Sequence, residues 1–375
     1  MKISLKFSDL LILGYFIGFW LRYFTNLNVL YSLIIFLFVA SCTFIICIYK
    51  SQSYQLKKLL ILICIIDIIA AIAVVINKNH TLADVVLLFT WQNMGILYYE
   101  KREDLSFIHT LSMISSIYII GAVFLVYLLN NRESGNIFVA DRTGSNTISI
   151  LLIQFLIIDV VWREKNRKQK QYIYYIIVCI ACVIAGGVAG IISTFALIIG
   201  IYLTEENKKV KRIIRWTCVA FCLTIILLIF SRNVLIIYNF IQSGDLGTRQ
   251  LMWNNYKDLV SESLGNFLFG ANISGNYLLE HYKNLHSTFF NWHYFYGLIP
   301  TIFFVGIVFL DCTYFLRTKK KMYLILVLVT IMRAATDEAT YAFMLPWIFF
   351  FCMRIDNGSN KYKESLCEKG SGRLV

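Results

Sequence analysis

An all-α, polytopic membrane protein is the fold class this chain predicts, and three observations predict it. Hydrophobic residues fill 58% of the 375 positions against 15% charged, too little polar side chain to cover a soluble globule. The apolar residues come in long runs, and a helix of about 20 such residues crosses a bilayer. Lysine and arginine gather in alternate connections between those runs, the bias produced when basic residues are retained in the cytoplasm.

Taken in order, the runs are residues 7–23, 28–49, 59–77, 82–99, 107–129, 146–162, 172–187, 188–204, 216–232, 290–316, 322–335 and 340–355, about twelve spans. The first begins with Lys2 and Lys6 but has no small-residue cleavage site before Arg22, so it reads as an uncleaved helix. With the N-terminus in the cytoplasm, 26 of the 35 basic residues fall inside and both termini are cytoplasmic. That asymmetry accounts for the net charge of +13 without nucleic acid, and membrane lipids with anionic headgroups are the expected partners of the basic runs. The organisation is then nine spans over 1–232, an extracytoplasmic loop over 233–289 with short amphipathic helices, three spans over 290–355 and a cytoplasmic tail over 356–375. All ten cysteines lie in spans or on the cytoplasmic side, so no disulfide is required.

The polar chemistry concentrates in the long loop. In "GTRQLMWNNYKDLVSESLG", Thr248 stands at a cap position and Met252, Tyr256, Leu259 and Val260 recur at helical spacing, as in an amphipathic helix lying on a bilayer. A second short helix is expected from Asn276 to Leu285, with the tenth span starting near His286. Arginine dominates the outer basic residues: Arg22, Arg132, Arg142, Arg232, Arg249 and Arg333 against Lys78, Lys257 and Lys283. Its planar fork binds phosphate bidentately, which suits a phosphate or pyrophosphate headgroup on a lipid; each arginine alone also fits snorkelling at a span end. Asp67 falls mid-span, facing a polar cavity or an arginine of another span. Asp159, four residues before Arg163, reads as a helix-end ion pair. The glycines of "AGGVAG", 185–190, mark a turn or close helix packing. Three of the five histidines, His281, His286 and His293, crowd into the loop's end, but spacings of five and seven match no metal pattern.

These residues resemble the O-antigen polymerase and O-antigen ligase superfamily. The outer loop bears "TRQLMW", then "GNFLFG", then "HSTFFNWHYFYGLIP", similar to the family's Arg before a Trp, its Asn-Pro-Leu-Phe-Gly-like stretch and its His-Asn at the foot of a helix. Upstream, "DRTGSNTISIL" is similar to an Arg-x-Gly then Asn element that opens a span. Three positions depart from the pattern: Gly186 and Gly187 stand where members often have Ser-Arg, Phe267 follows Asn266, and Ser287 follows His286.

The resemblance implies a metal-independent, inverting glycosyltransferase without cofactor on the outer face of the bacterial plasma membrane. It moves a glycan from an undecaprenyl-pyrophosphate-linked oligosaccharide to an acceptor sugar hydroxyl. By position, His286 corresponds to the catalytic histidine and Arg249 to the loop arginine on the pyrophosphate. Arg142 and Asn146 match the upstream element; Arg142 or Arg232 fills the place of the missing Ser-Arg, and Arg333 joins the phosphate-binding set. Histidine titrates near pH 6.5, which suits a general base, and arginine neutralises a leaving pyrophosphate. His293 either orients the acceptor or belongs, with Trp292, Tyr294 and Tyr296, to an interfacial aromatic belt. Trp253 either stacks on sugar rings or anchors the loop. A repeat-unit polymerase, with a chain-length regulator as a further partner, is the first expectation and the ligase the second. A lipid-linked oligosaccharide flippase also fits twelve spans, but arginine and histidine gather at the outer ends and no two-half repeat is visible.

Overall fold

The computed structural model describes residues 6–25, 27–50, 54–129, 144–206, 208, 211–212, 215–216, 245–282, 285–335 and 344–355. Most of those residues are helical, with no strand among them. In chain order the helices are α1 (Phe7–Phe24), α2 (Val29–Lys50), α3 (Tyr54–Asn77), α4 (Leu82–Glu100), α5 (Ser106–Leu128), α6 (Ser145–Lys165), α7 (Tyr172–Ala185) and α8 (Val188–Thr204). After the gap come α9 (Asp245–Ser261), α10 (Leu264–Phe269), α11 (Tyr277–Tyr282), α12 (Thr288–Tyr296), α13 (Leu298–Arg317), α14 (Lys321–Ala335) and α15 (Met344–Ile355). The expected ninth span beyond residue 216, residues 233–244 of the loop, Arg142, Arg232 and the tail 356–375 lie outside the described residues.

Six of the described helices, α1, α2, α3, α5, α6 and α13, are long and apolar enough to cross a membrane, and α7, α8 and α15 are shorter apolar helices. Their outward faces carry large apolar side chains in the open: Ile61, Ile65, Ile68, Ile72 and Val75 on α3, and Ile302, Val305 and Phe309 on α13. A soluble monomer rarely exposes so broad an apolar surface, whereas lipid tails solvate it. The chain is a membrane protein of helical type.

Helix α4 is the exception that organises the rest. It carries Thr90, Gln92 and Asn93, yet every residue from Thr90 to Tyr99 is buried. It runs among α1, α2 and α3, and Gly95 lets the backbone of α15 approach: a Cβ there would stand 2.6 Å from the Leu345 carbonyl oxygen. A helix buried on all sides needs no lipid-facing stripe, which is why its polar residues are tolerated.

One end of the bundle carries α9 to α12; the other carries ion pairs. At that opposite end Asp159 of α6 is fully buried, and Arg163 Nε donates to both its carboxylate oxygens at 3.0 and 2.9 Å, the ion pair its spacing predicts. The Tyr175 hydroxyl donates to Asp159 at 2.9 Å, and Arg163 Nη1 donates to the Gln169 carbonyl at 2.8 Å. His109 Nδ1 lies 3.6 Å from Asp159, its ring stacked on Trp162 at 3.9 Å. The cluster ties α5, α6 and α7 together.

Candidate functional site

The loop helices are fastened to the bundle by the short α3–α4 connection. Asn77, buried at the last position of α3, points its amide Nδ2 at the carbonyls of Phe269 (2.9 Å), Phe295 (3.0 Å) and Tyr294 (3.3 Å). Asn79 donates to the carbonyls of Ala271 (2.8 Å) and Tyr294 (3.0 Å), and accepts from the Ile273 amide at 3.2 Å. The His80 ring lies 3.7 Å from that of Phe295. Two side chains thus hold the backbone of the segment after α10 and of α12. Buried carbonyls must be paired, and helix C-termini leave them unpaired, so asparagine amides suit this place.

The end of "GNFLFG" has a specific reason to be glycine. Gly270 has φ +86°, and a Cβ on it would stand 2.6 Å from the His293 carbonyl oxygen. We expect Gly270→Ala to cost about 1–3 kcal/mol for the positive-φ backbone alone, and more from the collision. Faster proteolysis of the loop in the folded variant checks this; wild-type resistance would refute it.

Thr248, expected at a cap, lies inside α9 (Asp245–Ser261). The apolar face of α9 packs on protein, with Met252 and Tyr256 buried and Leu259 and Val260 half-buried, so the pattern read as bilayer-facing serves contacts within the protein, Tyr256 lying against Tyr294 of α12. The Tyr256 hydroxyl lies 2.9 Å from His293 Nδ1, and His293 Nε2 lies 2.8 Å from the Phe267 carbonyl. A carbonyl only accepts, so Nε2 carries the hydrogen and Nδ1 accepts from Tyr256. Burial pushes the His293 pKa below the ordinary histidine value, which keeps the ring neutral. Both ring nitrogens of His293 are thereby engaged within the protein, pinning α9 and α10 to α12.

His286 is set by its predecessor. The Leu285 amide donates to Asn291 Oδ1 at 2.8 Å, and the Leu285 carbonyl accepts from Trp253 Nε1 at 2.7 Å. Trp253 also lies against Phe290, ring centroids 5.1 Å apart. His286 itself adopts φ +48°, a conformation unusual outside glycine, with its Nδ1 buried and the Tyr282 ring 5.9 Å away. Arg249 is half-buried and precedes Trp253 by four residues, about 6 Å along the same face of α9. The Trp253–Leu285 bond therefore brings the helix bearing Arg249 against the turn bearing His286. The expected tenth span is two helices: α12 ends at Tyr296, Gly297 separates them with φ +75°, and α13 begins at Leu298.

Arg333 stands apart from that pair but at the same end. Fully buried near the end of α14, it donates through Nη2 to the Asn146 carbonyl and the Ser149 hydroxyl of α6, both at 3.2 Å. Gly190 packs directly on Ser149, so the "AGGVAG" segment gives a turn at Gly186 and close packing of α8 on α6. Trp347 of α15 joins the two groups. It stacks on Phe289 of α12 at 6.2 Å and donates from Nε1 to Thr330, one turn before Arg333, at 2.8 Å. The structure thus assembles Arg249, Trp253, His286 and His293 around α9–α12, and Arg333 with Asn146 beside them. Asn77, Asn79 and Asn291 are positioning residues that sequence reasoning passes over; the polar "NKNH" between two apolar runs is the signal for the first two, and Asn291 lies inside "HSTFFNWHYFYGLIP". Comparison with protein-family models, curated proteins and solved structures finds no match to this chain.

Proposed function

We propose that the chain is a polysaccharide repeat-unit polymerase of a bacterial plasma membrane. It has about twelve spans, cytoplasmic termini and α9–α12 on the extracytoplasmic side. In this reading His286 takes the proton of an acceptor sugar hydroxyl on a lipid-linked repeat unit. The hydroxyl oxygen forms a new bond to the donor's anomeric carbon, and the bond from that carbon to undecaprenyl pyrophosphate breaks with inversion. Arg249 neutralises the departing pyrophosphate, a charge that a guanidinium fork fits in two places at once. The observation that carries the reading is the double hold on Leu285, from Trp253 and Asn291, which keeps His286 beside the Arg249 helix.

His293, with both nitrogens bonded internally, supports the site as a fixed strut for α9 and takes no proton. Arg333 holds the start of α6, the segment that follows Arg142 in the chain. Deleting the gene and resolving the host's surface glycan on a gel tests the proposal. A single repeat unit on the final acceptor is the expected result. Full-length glycan stranded on its lipid carrier would make the chain a ligase, and loss of outward-facing repeat units would make it a flippase.

A further inference from the structure

We infer that Asp67 and Gln92 form a binding site for one small monovalent cation, a proton or a sodium ion, in the middle of the membrane-spanning bundle between α3 and α4. Asp67 lies ten residues from the end of α3, about 15 Å along the helix axis, and is 7% exposed. Neither carboxylate oxygen makes a well-formed hydrogen bond, and no cationic side chain among the described residues pairs with it. The Gln92 side chain of α4 is its polar neighbour, close enough to act on the carboxylate; it is fully buried, and neither its oxygen nor its nitrogen makes a well-formed hydrogen bond.

A carboxylate without a counter-charge in a low-dielectric interior is costly, as is a poorly satisfied amide, and here the two stand together. One positive charge resolves both. A proton on the carboxyl donates to Gln92 Oε1 while Gln92 Nε2 donates back to the other carboxyl oxygen. A sodium ion instead takes the two carboxylate oxygens and the amide oxygen as hard ligands, with Nε2 turned away. The charged residues of the helices packed on α3 leave this place uncontested. Asp84 and Glu100 stand at the ends of α4, Lys50 ends α2, Asp311 and Arg317 fall in the last two turns of α13, and α10 has none. On α12, His293 is bonded to Tyr256 and Phe267. On α3 itself Lys57 and Lys58 stand near the start of the helix, and Cys64, one turn away, is the titratable neighbour. An ionisable residue so placed marks an ion or proton position in membrane proteins. The inference is independent of the glycosyl-transfer reading.

The test uses the purified full-length protein in lipid nanodiscs, with two readouts. The first is melting temperature titrated with sodium chloride against choline chloride at constant ionic strength. The second is the infrared band of protonated carboxyl groups, in wild type and in Asp67→Asn. A sodium-dependent rise in melting temperature that disappears in Asp67→Asn identifies sodium. A carboxyl band at neutral pH that is missing from Asp67→Asn, without a sodium response, identifies a proton. Gln92→Leu keeps the acid and serves where Asp67→Asn does not accumulate: it shifts the band or weakens the sodium response. A wild-type protein with no sodium response and no protonated carboxyl band overturns the inference. So does either signal persisting unchanged in both variants.

Discussion

With His286 replaced by alanine, the protein is expected to reach the membrane at its normal level while the host's surface glycan falls to single repeat units. General-base catalysis contributes on the order of 10²–10⁴ in rate, and chain growth compounds that loss at every step. The fold should tolerate the change. His286 sits in a turn whose geometry is fixed by Leu285, through bonds from Trp253 and to Asn291 that alanine leaves in place. Arg249→Lys is the companion change. It keeps the charge at that point of α9 but replaces the planar fork by a single ammonium, so bidentate phosphate binding is lost. We expect polymer to fall nearly as far as in the histidine variant. Long chains surviving in His286→Ala would remove the base from that residue, and near-normal polymer in Arg249→Lys would mean that a point charge is enough there.

What the sequence disclosed about this fold follows the range of the interactions involved. Apolar runs are local, so the helices α1 to α8 lie close to the segments read from hydropathy. The Asp159–Arg163 pair is also local, one helical turn, and is visible as spacing. The amphipathic pattern of α9 is equally visible, but the same pattern faces a bilayer or a protein surface, and only the fold, which buries Met252 and Tyr256, decides in favour of protein. His293 shows the limit most clearly. Its aromatic neighbours suggest an interfacial belt, yet its partners Tyr256 and Phe267 lie 37 and 26 residues away in sequence. Asn77 and Asn79 reach across about 190 to 220 positions to backbone carbonyls, which any residue possesses, so nothing in the target sequence advertises the contact. The break at Gly297 falls inside a segment read as one span; Gly297 and Pro300 are visible there, but hydropathy alone does not distinguish one long helix from two.

The largest stability effect is expected at the opposite end of the bundle. Arg163→Met should cost about 3–5 kcal/mol, because it leaves the Asp159 carboxylate buried without the guanidinium that holds both its oxygens. The reverse change should be milder. In Asp159→Asn the guanidinium keeps its bond to the Gln169 carbonyl and its place near the Trp162 ring, 5.5 Å from the centroid, and the new side-chain amide oxygen can still accept from Tyr175. The double variant Asp159→Asn with Arg163→Met removes both charges, and replacing a buried pair by uncharged groups of similar volume is often close to neutral. It should therefore be more stable than Arg163→Met alone, although it carries one substitution more. Melting temperatures of the four detergent-solubilised proteins decide the matter. If the double variant melts below Arg163→Met, the arginine contributes by packing its stem against α6 and Trp162, and charge compensation at Asp159 is not what holds α5, α6 and α7 together.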